Sequence, residues 1–407
     1  MKLPIQLNII LIAFLSACAV IDREGFFKHD IVIPDQSGQV ITVLGPIASE
    51  NVGDTLMHEH ISIQYYIPLQ ATERWAKFGV SPPQTEEELA VWNTQLTLEN
   101  YADIVRQLDS GKFQNKDNGL LTPEDTLPEI LSFKAMGGRT VVDLPPIEPI
   151  RKPLSLVRLS RESGVNIVAG TAFYTAPWHP KNIDRLSVAR LTEFMLRDIV
   201  EGMDGTGVRA GIVGEVPAMD IRPSDPKSGE TENNETRILR ASARASYLTG
   251  AALSLHGPIL TGDQAQQVIR VIEQEGLDLS RVIFGHVSMS TDVTLTELVV
   301  LLDKGLVLEF DNISNRNALQ IGETVEQLIS LGYEKQLLFS QDIFLKSHLT
   351  KFGGKGLTYI HKYFVPDLLS RGVSKVSIRQ ILQGNPQRLL TFDAPKADLQ
   401  IDDGTGD

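Results

Sequence analysis

Four of the eight histidines close short apolar runs, and two carboxylates close others. His58-Glu59-His60 ends the run that begins at Thr55, Glu215 ends AGIVGE, His256 ends AALSLH, His286 ends VIFGH and Asp342 ends LLFSQD. Residues two apart on a strand share a face, so both imidazoles of the HEH triplet are aimed the same way. Imidazole and carboxylate together suit borderline divalent cations such as zinc. Any one of these histidines taken singly would be read as a satisfied core side chain. Five such positions at the ends of β-like runs point instead to metal-assisted hydrolysis.

The elements that must carry them are eight apolar runs: Thr55–His58, Thr140–Leu144, Asn166–Thr171, Val208–Gly214, Ala251–His256, Arg281–His286, Leu306–Asp311 and Leu337–Asp342. Most are continuous rather than alternating, as in parallel strands buried on both faces. Between most of them, Leu191–Glu201, Glu235–Leu248, Gln264–Glu275, Leu295–Lys304 and Val325–Leu331 carry apolar residues at helical spacing. Eight β-then-α units predict an α/β chain folded as a (β/α)8 TIM barrel, with its chemistry at the C-terminal strand ends. The rival doubly wound sheet lacks its Gly-rich dinucleotide fingerprint here. An extra N-terminal β-hairpin is expected from Asp30–Ile33 and Val40–Leu44 around a Ser37-Gly38 turn. A long insertion, Tyr65 to Thr126, follows the first strand and carries Tyr65, Tyr66, Trp75, Phe78, Trp92 and Tyr101. It is expected to wall the substrate site or to pack as extra helices on the barrel rim.

The net charge of −13 repels phosphate backbones and anionic lipid, which argues against nucleic-acid binding. Lys2 and the apolar run Ile9 to Leu15 have the layout of a secretory signal too short to span a bilayer. The single cysteine rules out a disulfide framework. It stands in Leu15-Ser16-Ala17-Cys18, which resembles the cleavage box of bacterial lipoproteins. The expected organisation is a signal peptide over 1–17, a linker over 18–30 from a lipidated Cys18, a hydrolase barrel over 31–393 and a disordered acidic tail over 394–407. The mature chain is expected to be exported, as a periplasmic or cell-envelope lipoprotein that meets the membrane only through Cys18.

GDTLMHEHI, GTAFY, AGIVGE, LSLH, FGH, FSQDIF and NPQRLLTF, in that order, resemble the phosphotriesterase family of the amidohydrolase superfamily from about Val40 to Phe392. KFGGKGLTYI and the aromatic insertion resemble its phosphotriesterase-related branch. The resemblance implies two divalent metal ions, most often zinc, with manganese, cobalt and iron as alternatives. By position His58, His60 and Asp342 would hold the more buried ion, and His256 and His286 the more exposed one. Many members bridge the ions with a carbamylated lysine, but Val208 to Arg222 contains none. Glu215 would bridge instead, as in a subset of the family. The family's relay aspartate, two places after the sixth-strand histidine, is here Ser288.

The mechanism expected is a metal-activated hydroxide with Asp342 taking up its proton. An ester, lactone or N-acyl amide is the expected substrate, ahead of an organophosphate triester, because the relay aspartate is missing. Tyr174 in GTAFY and Lys355 in the GGKG turn are candidate substrate contacts, and Asp311 is a candidate support for the ligands. A homodimer would follow family habit. The competing class is a lipoprotein that binds a metal or ligand without catalysis.

Overall fold

A computed structural model describes residues 31–109, 115–147, 151–224, 231–257, 262–289 and 293–396. The leader, Cys18, its linker through Asp30 and residues 397–407 of the tail lie outside the described residues. The strands are β1 (Gln39–Thr42), β2 (Gly45–Ala48), β3 (Asp54–Glu59), β4 (Ile63–Gln64), β5 (Leu120–Leu121), β6 (Gly138–Asp143), β7 (Asn166–Thr171), β8 (Ile212–Pro217), β9 (Leu253–His256), β10 (Val282–Phe284), β11 (Val307–Phe310) and β12 (Leu337–Phe339). β3 and β6 through β12 form one parallel eight-stranded sheet in chain order. Helices Pro153–Ser163, Val188–Val200, Asn234–Thr249, Gly262–Gln274, Leu295–Asp303 and Ala318–Ser330 alternate with β6 to β12. This is a (β/α)8 barrel, nearly closed.

No ladder joins β12 to β3. The seam is stitched just past the end of β12 instead. Asp342 N–H donates to His58 O at 3.1 Å and His60 N–H to Ile343 O at 3.0 Å. The buried Glu59 carboxylate accepts from Ser340 Oγ at 2.9 Å, Gln341 N–H at 2.8 Å and Ile343 N–H at 2.9 Å. Three expected metal ligands, His58, His60 and Asp342, therefore sit at the seam of the barrel.

Met57, Val142, Val168, Ile283, Val307 and Leu338 fill the interior beneath the site, with Val40 and Leu389 packed against them. The N-terminal hairpin covers the strand starts, where Val43 N–H donates to Ile167 O at 2.9 Å. Its position corrects the sequence expectation. The arms are β1 and β2, and the tight turn is Val43-Leu44. Gly45, at φ +115°, supplies the backbone that turn needs. Ser37-Gly38 does turn, but Gly38 N–H goes to Phe392 O and Val40 bridges Thr391. Among the described residues, 31–36 contain Pro34 and join no sheet.

The fourth barrel strand is also shifted, to Ile212–Pro217 from the expected Val208–Gly214, so Glu215 lies within the strand. Ala210 N–H is taken by Asp198 O, outside any ladder, which delays the strand start. The helix expected at Val325–Leu331 begins at Ala318. The described residues of the long insertion include three short helices, Thr72–Phe78, Glu86–Asn93 and Tyr101–Asp109, with Trp75 and Trp92 only 3% and 5% exposed. The tail begins docked, with Lys396 N–H on Leu248 O at 3.2 Å. Among the described residues no helix is long and apolar enough to cross a membrane.

Candidate active site

All six expected ligands converge at the C-terminal mouth of the barrel. His58 and His60 come from β3 and its end, with rings 5.4 Å apart. Glu215 lies in β8 and His256 ends β9. His286 and Asp342 stand just past β10 and β12, at φ +56° and +50°. A left-handed backbone at a residue with a Cβ costs about 1–2 kcal/mol and persists only where surroundings impose it. At His286 the constraint is Asp311, whose Oδ2 accepts its N–H at 2.6 Å. Gly285 permits that approach, since a Cβ there would stand 2.5 Å from Leu255 O and 3.3 Å from Asp311 Oδ2.

Glu215 is the hub. Its Oε1 pairs with His256 Nδ1 and lies 2.8 Å from His286 Nε2 and 3.3 Å from His58 Nε2. Its Oε2 is turned to His60 Nε2 at 3.8 Å. Asp342 Oδ1 faces the same pair of β3 imidazoles, 3.5 Å from His60 Nε2 and 4.0 Å from His58 Nε2. Three clusters among the described residues are close enough to hold a cation: His58–Glu215–His286, His58–His60–Asp342 and, behind them, His58–Glu309–Asp311.

Whether the pocket fits a cation is decided by its unmet needs. His58 Nε2 and Glu215 Oε2 are buried and have no hydrogen-bond partner among the described residues. Burial alone would raise the Glu215 carboxyl, yet His256 and His58 hold it well below the usual carboxylate range. His58 is driven the other way: burial disfavours its charge, but Glu215, Glu309 and Asp311 hold its pKa well above the ordinary value. The carboxylates thus demand positive charge from whatever stands among them. Burial lowers His60 to about 4, which leaves its ring neutral with a lone pair free, as a metal ligand requires. The donor set fits divalent cations.

The residues behind the ligands were the least legible. Asp311 Oδ2 lies 3.3 Å from His58 Nδ1 and its Oδ1 3.0 Å from His286 Nδ1, so one carboxylate orients two imidazoles. Glu309 Oε2 stands 3.5 Å from His58 Nδ1. Glu309 and Glu59 were not singled out by sequence. The available signal was a carboxylate embedded in an otherwise apolar strand, VLEF and LMHE.

A cavity of about 410 Å³ opens over Glu215, His256, His286 and Asp342. Its apolar wall includes Ile63 and Tyr65 from the start of the insertion, with Met219 and Phe344. Among the described residues, Lys77, exposed on the first insertion helix, is the one lysine or arginine that lines it. Tyr174 also lines the cavity, with its hydroxyl 3.3 Å from the His256 ring. Burial, reinforced by the Glu215 charge, holds this phenol well above its ordinary value, so it stays a protonated donor. Lys355 does not line the cavity. Its Nζ donates to Asn312 Oδ1, and Asn312 does line it. Ser288 Oγ accepts the Asn312 N–H at 3.0 Å, so the residue in the relay position is engaged in holding a loop.

The chain is similar to several known proteins. The phosphotriesterase family description matches residues 38–390. An N-acetyltaurine hydrolase of Xenopus tropicalis is 30% identical over 374 residues, which cover 88% of this chain and 99% of that protein. A resiniferatoxin-binding protein of Rhodobacter sphaeroides has a structure similar at TM-score 0.73 and 29% identity, over 87% of this chain and 95% of that one. A lactonase of Listeria monocytogenes shares the fold at TM-score 0.66 and 24% identity, over 87% of this chain and 99% of that one. The chain belongs to the phosphotriesterase family and is a metal-dependent hydrolase of that family.

Proposed function

We propose that this protein hydrolyses an N-acyl amide with an anionic tail, using two divalent cations shared through Glu215. The observation that carries the reading is the reach of Glu215: Oε1 faces His256, His286 and His58, and Oε2 faces His60, so one carboxylate meets both imidazole sets. A carboxylate shared by two cations needs this reach. His58, His60 and Asp342 would hold one ion and His256 and His286 the other, and zinc suits these donors. Ions held there supply Lewis acidity and make a water nucleophilic near neutral pH.

The chain's own groups do the rest. Asp342 turns Oδ1 to the imidazoles, and its other oxygen takes the proton of the attacking water. The new C–O bond forms at the acyl carbon, the C–N bond breaks, and the proton on Asp342 passes to the departing amine nitrogen. Asp311 keeps His58 and His286 in the tautomer that presents Nε2 to the site. Tyr174 donates a hydrogen bond to the substrate beside His256. Lys77 meets the negative tail at the cavity wall. The similarity to N-acetyltaurine hydrolases over nearly the full length of those proteins supports an acyl amide with such a tail. A lone serine at the relay position makes phosphotriester turnover the poorer fit.

The test is elemental mass spectrometry on a chain beginning after Cys18, then a panel of N-acetyltaurine, N-acyl amino acids, lactones and aryl phosphotriesters. About two ions per chain, loss of turnover on chelation and preference for the amides are expected. One ion or none after reconstitution, or no hydrolysis of any compound, sinks the reading in favour of a binding protein. Cys18, outside the described residues, is proposed as a lipid anchor outside the cytoplasm on the strength of its cleavage box alone. Fatty-acid labelling should mark wild type and not Cys18→Ser.

A further inference from the structure

We propose that Asn312 is a substrate-binding residue of this cavity, and that Lys355 and Ser288 position it. The inference rests on the hydrolase reading above. Asn312 follows Asp311 at the end of β11 and lines the cavity. Three partners fix it. Its N–H donates to Ser288 Oγ at 3.0 Å, its carbonyl accepts from Asn317 Nδ2 at 2.7 Å, and its side-chain Oδ1 accepts from Lys355 Nζ. The partners lie in the segments that follow three successive barrel strands, the sixth, seventh and eighth.

The chemistry of Lys355 sets the orientation of the amide. An ammonium has three donors and no acceptor, so only the oxygen of an amide can face it. The Asn312 NH₂ is thereby turned away from Lys355. It finds no acceptor among the described residues. An NH₂ on a cavity wall, in a side chain whose own oxygen is already occupied, is a donor open to a ligand oxygen. The ligand oxygen fitting a neutral donor beside metal ligands is the acyl carbonyl or a sulfonate or carboxylate of the substrate. Ser288 thus gains a role in place of the proton relay its position usually serves: it anchors the loop that carries this donor.

The experiment compares KM, kcat and bound metal for Asn312→Ala, Asn312→Asp, Lys355→Met, Lys355→Arg and the double variant Asn312→Ala/Lys355→Met. The substrate is whichever acetyl amide or acetyl ester the wild type turns over best, so failure of the amide reading is seen in the wild type and not in the variants. Loss of one neutral hydrogen bond to substrate should raise KM about tenfold for Asn312→Ala, with kcat within about threefold and metal content unchanged. Asn312→Asp should raise KM further, because an acceptor then faces the ligand oxygen. Lys355→Met should raise KM as Asn312→Ala does, Lys355→Arg should restore it, and the double variant should be no worse than either single one. Unchanged KM in Asn312→Ala overturns the proposal. So does a Lys355→Met effect of equal size in both backgrounds, or one that appears only as lost metal, since either would make Lys355 a structural counter-charge to its acidic neighbours.

Discussion

Removing the Glu59 carboxylate should open the barrel seam and unseat Asp342 with it. The carboxylate accepts two backbone N–H groups, Gln341 at 2.8 Å and Ile343 at 2.9 Å, which flank Asp342. Its third donor, Ser340 Oγ, also reaches His58 O at 3.0 Å and so keeps a partner without Glu59. In Glu59→Ala two buried N–H donors are left unmet. At about 1–3 kcal/mol for each buried orphan, the loss should be about 2–6 kcal/mol. Glu59→Gln keeps one acceptor oxygen but presents an NH₂ to the other donor, so it should lose about half as much. The assay is urea unfolding of the metal-free protein, followed by metal content and kcat of the reconstituted one. Metal should fall together with stability, because Asp342 N–H and His60 N–H are bonded across the same seam. A Glu59→Ala protein within about 1 kcal/mol of wild type and fully loaded with metal would refute the reasoning, by showing that water or a backbone shift satisfies those donors.

Further expectations follow from single contacts. Glu215→Gln should lose bound metal and turnover together, and a fully loaded active variant would contradict the bridge between the two imidazole sets. Lys77→Glu should raise KM for sulfonate- or carboxylate-bearing amides at low salt and leave a neutral acyl amide nearly untouched; equal effects on both would remove Lys77 from tail recognition. Tyr174→Phe should lower kcat/KM by about tenfold without changing metal content, and an unchanged value would make the hydroxyl a packing group. His179 is buried, its Nε2–H donates to Tyr174 O, and burial lowers it to about 4. The folded imidazole resists protonation, so its stabilisation is complete above the ordinary value near pH 6.5 and is lost as pH falls towards 4. Up to about 3 kcal/mol is at stake, and urea midpoints against pH for wild type and His179→Gln should diverge only in that window. Parallel curves would show that His179 is freely solvated.

The candidate ligands were legible in sequence because metal chemistry restricts residue type. His58, His60, Glu215, His256, His286 and Asp342 stand at the ends of apolar runs or beside them, and the runs are legible because parallel strands buried on both faces leave no polar alternation. The regular spacing of strand and helix gave the barrel for the same reason. Local pattern failed where pairing partners are distant. The hairpin slipped because Gly38 and Val40 bond Phe392 and Thr391, more than three hundred residues away in sequence, which no turn signal encodes. Lys355 looked like a substrate contact because a Gly-rich turn is a local feature, whereas its partner, Asn312, is fixed by the closing of the barrel. Glu59 and Glu309 were hidden by the opposite problem: a buried carboxylate is explained only by the donors around it, and those arrive from other strands. Sequence determined which atoms were available to bind a cation. Tertiary structure decided which carboxylate faces which imidazole, since that depends on distances of a few ångströms between residues far apart in the chain.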